Sequence, residues 1–209
     1  FMPKSYIDFA VSANNGSPDI WAEDPADDLV STAQFLVCQG WNANLPWGTP
    51  TDVPETENLH GLRHLPPQSL SHWKALGVLP QRAVAMDYET RFILPGGGAS
   101  LSFVVSENFD ALLCYNNAPA YAIAVGHLAD RLQGAPALTF PPGGDPRGLT
   151  QPEMQFVQSR LTKLGFDTLG ADGFFGPNTE MAVEAFQAVQ GLPVDGFVDL
   201  ALLMRLKTL

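Results

Sequence analysis

NFDALLCYNNAPAYAIAVGHLADRL, running from Asn108 to Leu132, holds two helix-forming runs and the break between them. An apolar, helix-periodic run is interrupted near its middle by Tyr115, Asn116 and Asn117, and Pro119 follows. Proline has a fixed φ and no N–H, which suits the first position of a new helix, so the polar group falls at a corner between two helices. Beyond it Ala122, Val125, Ala129 and Leu132 recur at spacings of three and four, predicting the core-facing stripe of an amphipathic helix. The corner is the candidate site, and the helix is its scaffold.

The chain around this corner has 209 residues, enough for one medium and one small domain, each with its own core. Its formal charge is −11, from 22 acidic and 11 basic side chains. Neither a phosphate backbone nor an anionic membrane surface suits that balance. No apolar run approaches the ~20 residues that span a bilayer. Nor does the start at Phe1-Met2-Pro3 read as a signal peptide. Cys38 and Cys114 stand in separate apolar helical runs without metal-ligand spacing. Buried free thiols are expected there, with a disulfide between them left open. His60 and His64 have an i, i+4 spacing that could serve a metal, but Gly61 and Pro66-Pro67 argue for a surface loop instead.

Upstream, DPADDLVSTAQFLVCQG from Asp24 to Gly40 predicts one helix: an Asp cap, Pro at the first position, and Asp27 and Asp28 in the first turn. Its expected stripe is Ala26, Leu29, Ala33, Leu36 and Val37, and its acidic cluster reads as a solvated helix start rather than a paired-carboxylate site. The preceding SANNGSPDIW is a loop. Next comes a Pro-rich stretch without periodicity that contains Trp41 and Trp47, which could stack on sugars or pin the loop to the core. A short amphipathic piece, LSHWKALGV, follows. RFIL and LSFVVS, joined by PGGGA, predict a β-hairpin inserted in an α-rich domain.

Residues 136–148, dense in Pro and Gly, read as a linker between domains 1–135 and 149–209. The last segment predicts three helices with stripes Met154/Val157/Leu161/Leu164, Ala182/Ala185/Phe186/Val189 and Leu202/Leu203/Leu206, the third capped by Asp199. Asp172-Gly173-Phe174 precedes the second helix and Asp195-Gly196-Phe197 the third, each an Asp-Gly turn with a Phe anchor.

Two resemblances follow from these motifs. QSRLTKLG at Gln158–Gly165 and ADGFFGPNTEMAVEAFQAVQGLPVDGFVD after it resemble the three-helix peptidoglycan-binding domain of bacterial cell-wall hydrolases. That resemblance implies holding the glycan or stem peptide without doing chemistry on it. The larger part resembles the lytic murein transglycosylases of the membrane-bound B type, glycoside hydrolase family 103. FMPKSY at Phe1–Tyr6 is similar to QFMPSSY, VCQGW to a helix ending in HGW, and Asn108–Ala129 to NFxxIxxYNxSxxYAxAVxxLA.

Together they imply a mainly α chain: a lysozyme-like α-rich region with a small β-hairpin insertion, plus a separate three-helix peptidoglycan-binding domain. The implied activity is cleavage of glycan strands between MurNAc and GlcNAc with formation of 1,6-anhydro-MurNAc. One carboxyl group first protonates the leaving oxygen and then helps the sugar's own hydroxyl attack the anomeric carbon. In the family that glutamate lies upstream of the FMPKSY match, and Glu23, Glu55, Glu57, Glu89 and Glu107 do not match it. No catalytic residue is therefore expected in this chain, which reads as the later part of a longer enzyme. The alternative is a non-catalytic peptidoglycan-binding or envelope scaffold protein.

Carried over residue by residue, the cleft positions are Ser5, Tyr115, Asn116 and Tyr121. A Tyr ring offers a flat face and one hydroxyl, and Asn a donor and an acceptor, which suit pyranose, hydroxyl and N-acetyl groups. The plainer reading has buried tyrosines and an Asn116 that satisfies a helix end. Lys4, Phe35 and Ala118 replace residues usual in the family. The family's calcium loop is reduced to SANNGSPD without its leading Asp ligands, so no cofactor is expected. The implied partner is peptidoglycan, with cell-envelope proteins as further partners, and the implied location is the periplasm, with membrane association left open.

Overall fold

A computed structural model describes residues 2–54, 59–82, 86–95, 101–139 and 148–209. In chain order the elements are α1 (Pro3–Phe9), α2 (Ala26–Cys38), β1 (Gly48–Asp52), α3 (Leu59–Arg63), β2 (Gln68–Ser69), α4 (Leu70–Ala75), β3 (Leu79–Pro80), β4 (Glu89–Ile93), β5 (Ser102–Val105), α5 (Glu107–Tyr115), α6 (Pro119–Leu132), α7 (Gln151–Lys163), α8 (Pro177–Val189) and α9 (Leu200–Thr208). They form two compact units, Phe1–Thr49 with Val105–Ala137 and Pro50–Val104 with Leu138–Leu209. The chain is mainly α with a small inserted sheet and a helical C-terminal segment, as expected. Most of the stretch read as a linker, residues 140–147, lies outside the described residues.

In the first unit α2 starts one residue later than expected: Pro25 is its N-cap, without a side-chain cap, and the Asp24 carboxylate before it accepts the Ala26 N–H at 3.1 Å. The stripe expected on α2 needs correction, because Leu29 and Val37 are exposed while Ser31 and Phe35 are buried. Ser31 is satisfied there by the backbone of Val11, whose N–H it accepts at 3.0 Å and whose carbonyl it donates to at 3.1 Å. Phe35, one turn on, meets Phe9 edge to face at 5.1 Å between ring centroids. The polar residue is inward because its hydrogen bonds are met, and the ring beside it supplies the burial.

On α6 the buried residues are Ala122 and Gly126, whereas Ala129 is exposed and Leu132 is 81% exposed. Trp47 decides this. Its indole covers Gly126 so closely that a Cβ there would lie 2.5 Å from the ring, and its Nε1 donates to Asp130 Oδ2 at 2.8 Å. Trp47 also stacks on Phe109 at 6.3 Å, so this tryptophan pins its loop to the core. Fully buried Asn108 completes the anchor: Nδ2 donates to the carbonyls of Asn42 and Leu45, and Oδ1 accepts the Asn42 N–H. Cys38 and Cys114, expected to be buried, are instead exposed and unbridged, Cys38 as the last residue of α2 and Cys114 in the last turn of α5.

The second unit holds a five-stranded sheet in the order β2-β4-β5-β1-β3. The expected hairpin strands, β4 and β5, are neighbours in it; residues 96–100 of their connection lie outside the described residues. β1 was hidden by Pro50, yet Thr49 and Thr51 are buried, and the Thr51 and Ser102 hydroxyls meet at 2.8 Å. β1 pairs antiparallel with β3, Thr51 opposite Pro80, and β2 with β4, Ser69 opposite Glu89. Leu62, Leu70, Trp73, Val78, Phe92, Leu94 and Val104 form the core against the sheet. Trp73 is fully buried and its Nε1 donates to the Thr90 carbonyl at 3.1 Å. The region of His60 and His64, expected as a loop, contains the short helix α3, held by buried Leu62.

The three C-terminal helices enclose Met154, Val157, Leu161, Ala182, Val183, Phe186, Val198, Leu202, Leu203 and Leu206. Thr150 and Glu153 form a capping box at the start of α7, and the Asp199 carboxylate accepts the Leu202 N–H at 2.7 Å at the start of α9. Ala185 and Val189, expected inside, are exposed, and Val183 takes that role in α8.

Candidate functional site

The polar corner is a break between α5 and α6. Asn116 caps α5 in an extended conformation, φ −144° and ψ 111°, and its carbonyl accepts the Ala118 N–H at 2.7 Å. Ala118 is the N-cap of α6 with no side-chain cap, and Pro119 begins the helix. This geometry turns Tyr115 and Tyr121 toward each other, with centroids 6.0 Å apart and planes 15° apart. Phe35 stands edge-on to Tyr115 at 5.6 Å, so Phe9, Phe35, Tyr115 and Tyr121 form a row of rings. Phe35 is the buried member of the row, and Tyr115 its most exposed.

Tyr115 is 44% exposed, Asn116 is exposed and Tyr121 is half-buried. The fully buried reading of these tyrosines is therefore excluded. Burial, and then the neighbouring Tyr115, push the Tyr121 phenol above its ordinary 10.0, so at neutral pH it is a hydrogen-bond donor. Ser5 is half-buried on α1, four residues before Phe9 and so on the same helix face. The structure brings Tyr115, Asn116 and Tyr121 together directly, and Ser5 shares with them only the helix that carries Phe9.

Among the described residues of the first unit, no glutamate is in contact with this corner. Glu23, Glu89 and Glu107 are exposed, and Glu107 accepts a long hydrogen bond from Asn42 Nδ2 at 3.4 Å. Glu55 and Glu57 lie outside the described residues.

Asp27 has a different job from the one its helix position suggested. Its carboxylate accepts the N–H of Ala13 at 2.7 Å and of Asp19 at 2.9 Å, bracketing the SANNGSPD loop. These backbone donors, Asp19 first, hold its carboxyl below the ordinary 3.8. Among the described residues no group of three or more His, Cys, Asp or Glu could hold a metal.

The bracketed loop also presents Trp21, which sequence reasoning passed over as part of a loop. It is 75% exposed and rests on Tyr6 at 5.2 Å, while the Tyr6 hydroxyl donates to the Pro18 carbonyl at 2.6 Å. A tryptophan beside Pro-Asp in a polar loop was the available signal.

In the C-terminal helices the two Asp-Gly turns are each read by a buried glutamine. Gln158 Nε2 donates to Asp172 Oδ1 at 3.0 Å and its Oε1 accepts the Gly173 N–H at 2.8 Å. Gln187 Nε2 donates to Asp195 Oδ1 at 2.7 Å and its Oε1 accepts the Gly196 N–H at 2.9 Å. Both glycines have positive φ, +83° and +68°, as such turns require. At the second turn Arg63 donates to the Asp195 carbonyl and to Glu180, and lies 3.8 Å from Glu184, which His64 approaches at 3.2 Å.

The family described as "Transglycosylase SLT domain" matches residues 1–130, and that described as "Putative peptidoglycan binding domain" matches residues 150–206. The crystal structure of SltB3 from Pseudomonas aeruginosa in complex with NAG-anhNAM-pentapeptide is 34% identical, with a TM-score of 0.88 over 99% of this chain and 56% of that one. SltB3 in complex with NAG-NAM-pentapeptide is 33% identical with the same TM-score and coverage. The soluble lytic transglycosylase SltB1 from Pseudomonas aeruginosa is 27% identical, with a TM-score of 0.50 over 65% of this chain and 46% of that one. The chain thus spans just over half the length of SltB3. No curated protein matches it.

Proposed function

The chain belongs to the SLT transglycosylase family and carries a peptidoglycan-binding domain behind it, and from that premise we propose that it holds the glycan strand of peptidoglycan while the bond between MurNAc and GlcNAc is cleaved with formation of 1,6-anhydro-MurNAc. The observation that carries this reading is the partly exposed pair of Tyr115 and Tyr121 beside Asn116. The NAG-anhNAM-pentapeptide bound by SltB3 is the product such a cleavage leaves, and the likeness to that protein runs over nearly the whole chain.

In this account the two rings and the amide bind and orient the sugar. A pyranose presents C–H faces to an aromatic ring and hydroxyl and acetamido groups to polar side chains. Tyr121, neutral at physiological pH, donates a hydrogen bond, and Asn116 both donates and accepts. Ser5 and exposed Trp21 are further sugar contacts in the same proposal. Fixing the ring next to the reacting bond lowers the entropic part of the barrier to attack by the sugar's own hydroxyl. The proton for the leaving oxygen must come from a carboxylic acid, and that role is assigned to none of the glutamates discussed above. The place of action is the periplasm, where peptidoglycan lies.

Mass spectrometry of sacculi digested by the full-length protein tests the reading. Anhydro-muropeptides are the expected products. Their absence, with retained binding to sacculi, would favour a peptidoglycan-binding protein that does not cut.

A further inference from the structure

The two Asp-Gly turns of the C-terminal helices are built alike but used differently. Each has a buried glutamine bridging the aspartate and the glycine N–H, and in each the Phe N–H donates back to the Asp carboxylate at 2.9 Å. Both turns are covered from within the chain on the carbonyl side: Arg63 reaches the Asp195 carbonyl at the second, and Gln151 Nε2 donates to the Asp172 carbonyl at 3.2 Å at the first. Phe197 at the second turn is only partly exposed. At the first turn Phe174 is 68% exposed, and a cleft of about 150 Å³ opens beside it. Its lining includes Thr168, Leu169, Asp172, Phe174, Asn178 and Thr179.

Leu169 adds a second, independent sign. It has φ +54°, a region that L residues with large side chains rarely enter, and it is 74% exposed. Thr168 holds that conformation by donating to the Gly170 carbonyl at 2.7 Å, and the Asp167 carboxylate accepts the Leu169 N–H at 2.9 Å. The fold thus keeps an apolar side chain on the rim in water at a conformational cost, which points to use.

We propose that the cleft beside the first turn, with its exposed Phe174, is the wall-contacting face of the C-terminal domain, taking an N-acetylated pyranose of the glycan. This rests on the peptidoglycan reading above and assigns it to particular residues. Phe174 and Leu169 offer the flat apolar rim for the sugar's C–H face. Exposed Asn178 offers an amide donor and acceptor for the acetamido group and ring hydroxyls. The cleft is too small for a disaccharide-peptide and suits one acetamido-bearing edge.

The test is co-sedimentation of the full chain with purified sacculi, followed by titration with oligomers of N-acetylglucosamine. Phe174→Ala and Asn178→Ala change exposed side chains, and circular dichroism checks their fold. Each is expected to weaken binding roughly tenfold, while Met204→Ala, exposed on α9, leaves it unchanged. Wild-type binding by both cleft variants overturns the inference and leaves the peptidoglycan reading standing. Failure of the unaltered chain to sediment with sacculi overturns both.

Discussion

Tyr115 and Tyr121 lie nearly parallel, 15° between planes and 6.0 Å between centroids, across the break that Pro119 makes between α5 and α6. One ring comes from the end of the first helix and the other from the first turn of the second. The spacing of the pair is therefore set by the corner itself and braced by Phe35 behind Tyr115. Tyr121→Phe keeps the pair and removes one hydroxyl. A lost hydrogen bond of about 0.5 to 1.5 kcal/mol predicts glycan binding weaker by about two- to tenfold with an unchanged melting temperature. Tyr115→Ala removes contacts to both rings, each pair contributing about 0.5 to 1.5 kcal/mol, so thermal stability falls together with binding. Calorimetric titration and thermal melts separate the two effects.

Tyr121 is one of two phenols, with Tyr88, that burial raises above the ordinary 10.0. Its phenol is raised above 10.0, so the folded state favours the protonated form, and that contribution is complete below 10.0 and lost as pH rises through the folded value. Denaturant midpoints are expected to drop as pH rises beyond 10, and to drop less in Tyr121→Phe. Equal slopes in the two proteins would show that Tyr121 is not the group responsible.

Gly126 is required by Trp47. A Cβ 2.5 Å from the indole cannot be absorbed without moving the ring or the helix, so Gly126→Ala should destabilise by about 1 to 3 kcal/mol despite the better helix propensity of alanine. Trp47→Leu opens that space. The double variant is expected to be more stable than the sum of the single effects predicts, which a double-mutant cycle measures.

Asp27 ties residues 13 and 19 to the start of α2. Its carboxyl is lowered from 3.8, so its contribution is present above that pH and lost as pH falls through the folded value. Amide hydrogen exchange of Ala13 and Asp19 should therefore accelerate in acid relative to the rest of the first unit. Asp27→Asn should show that faster exchange already at neutral pH. Protection that persists in the variant would mean that other contacts hold the loop.

Much of this was legible along the chain because the signals are local. Pro119 announced a helix start, Asp199 a cap, and the repeated Asp-Gly-Phe the two turns, each through chemistry confined to a few residues. Long-range partners decided the rest. The inward face of α6 depends on an indole from a distant loop, so spacing alone pointed to Leu132 instead of Gly126. β1 was masked by Pro50, although the Thr51–Ser102 hydroxyl pair accounts for the strand. Asp27 looked like a dipole partner because its real partners are backbone amides, which leave no mark in a sequence. The same holds for Gln158 and Gln187, whose amides recognise turns and not side chains of a telling type.

Sugar binding at the corner is tested by a two-dimensional NMR titration of the chain, its tyrosine rings isotopically labelled, with NAG-anhNAM-pentapeptide. Tyr115→Phe and Tyr121→Phe supply the assignments. Saturable shifts of the Tyr115 and Tyr121 ring resonances are expected, with Tyr88, half-buried against the core of the second unit, unmoved. Unmoved Tyr115 and Tyr121 resonances at millimolar ligand would contradict sugar binding there.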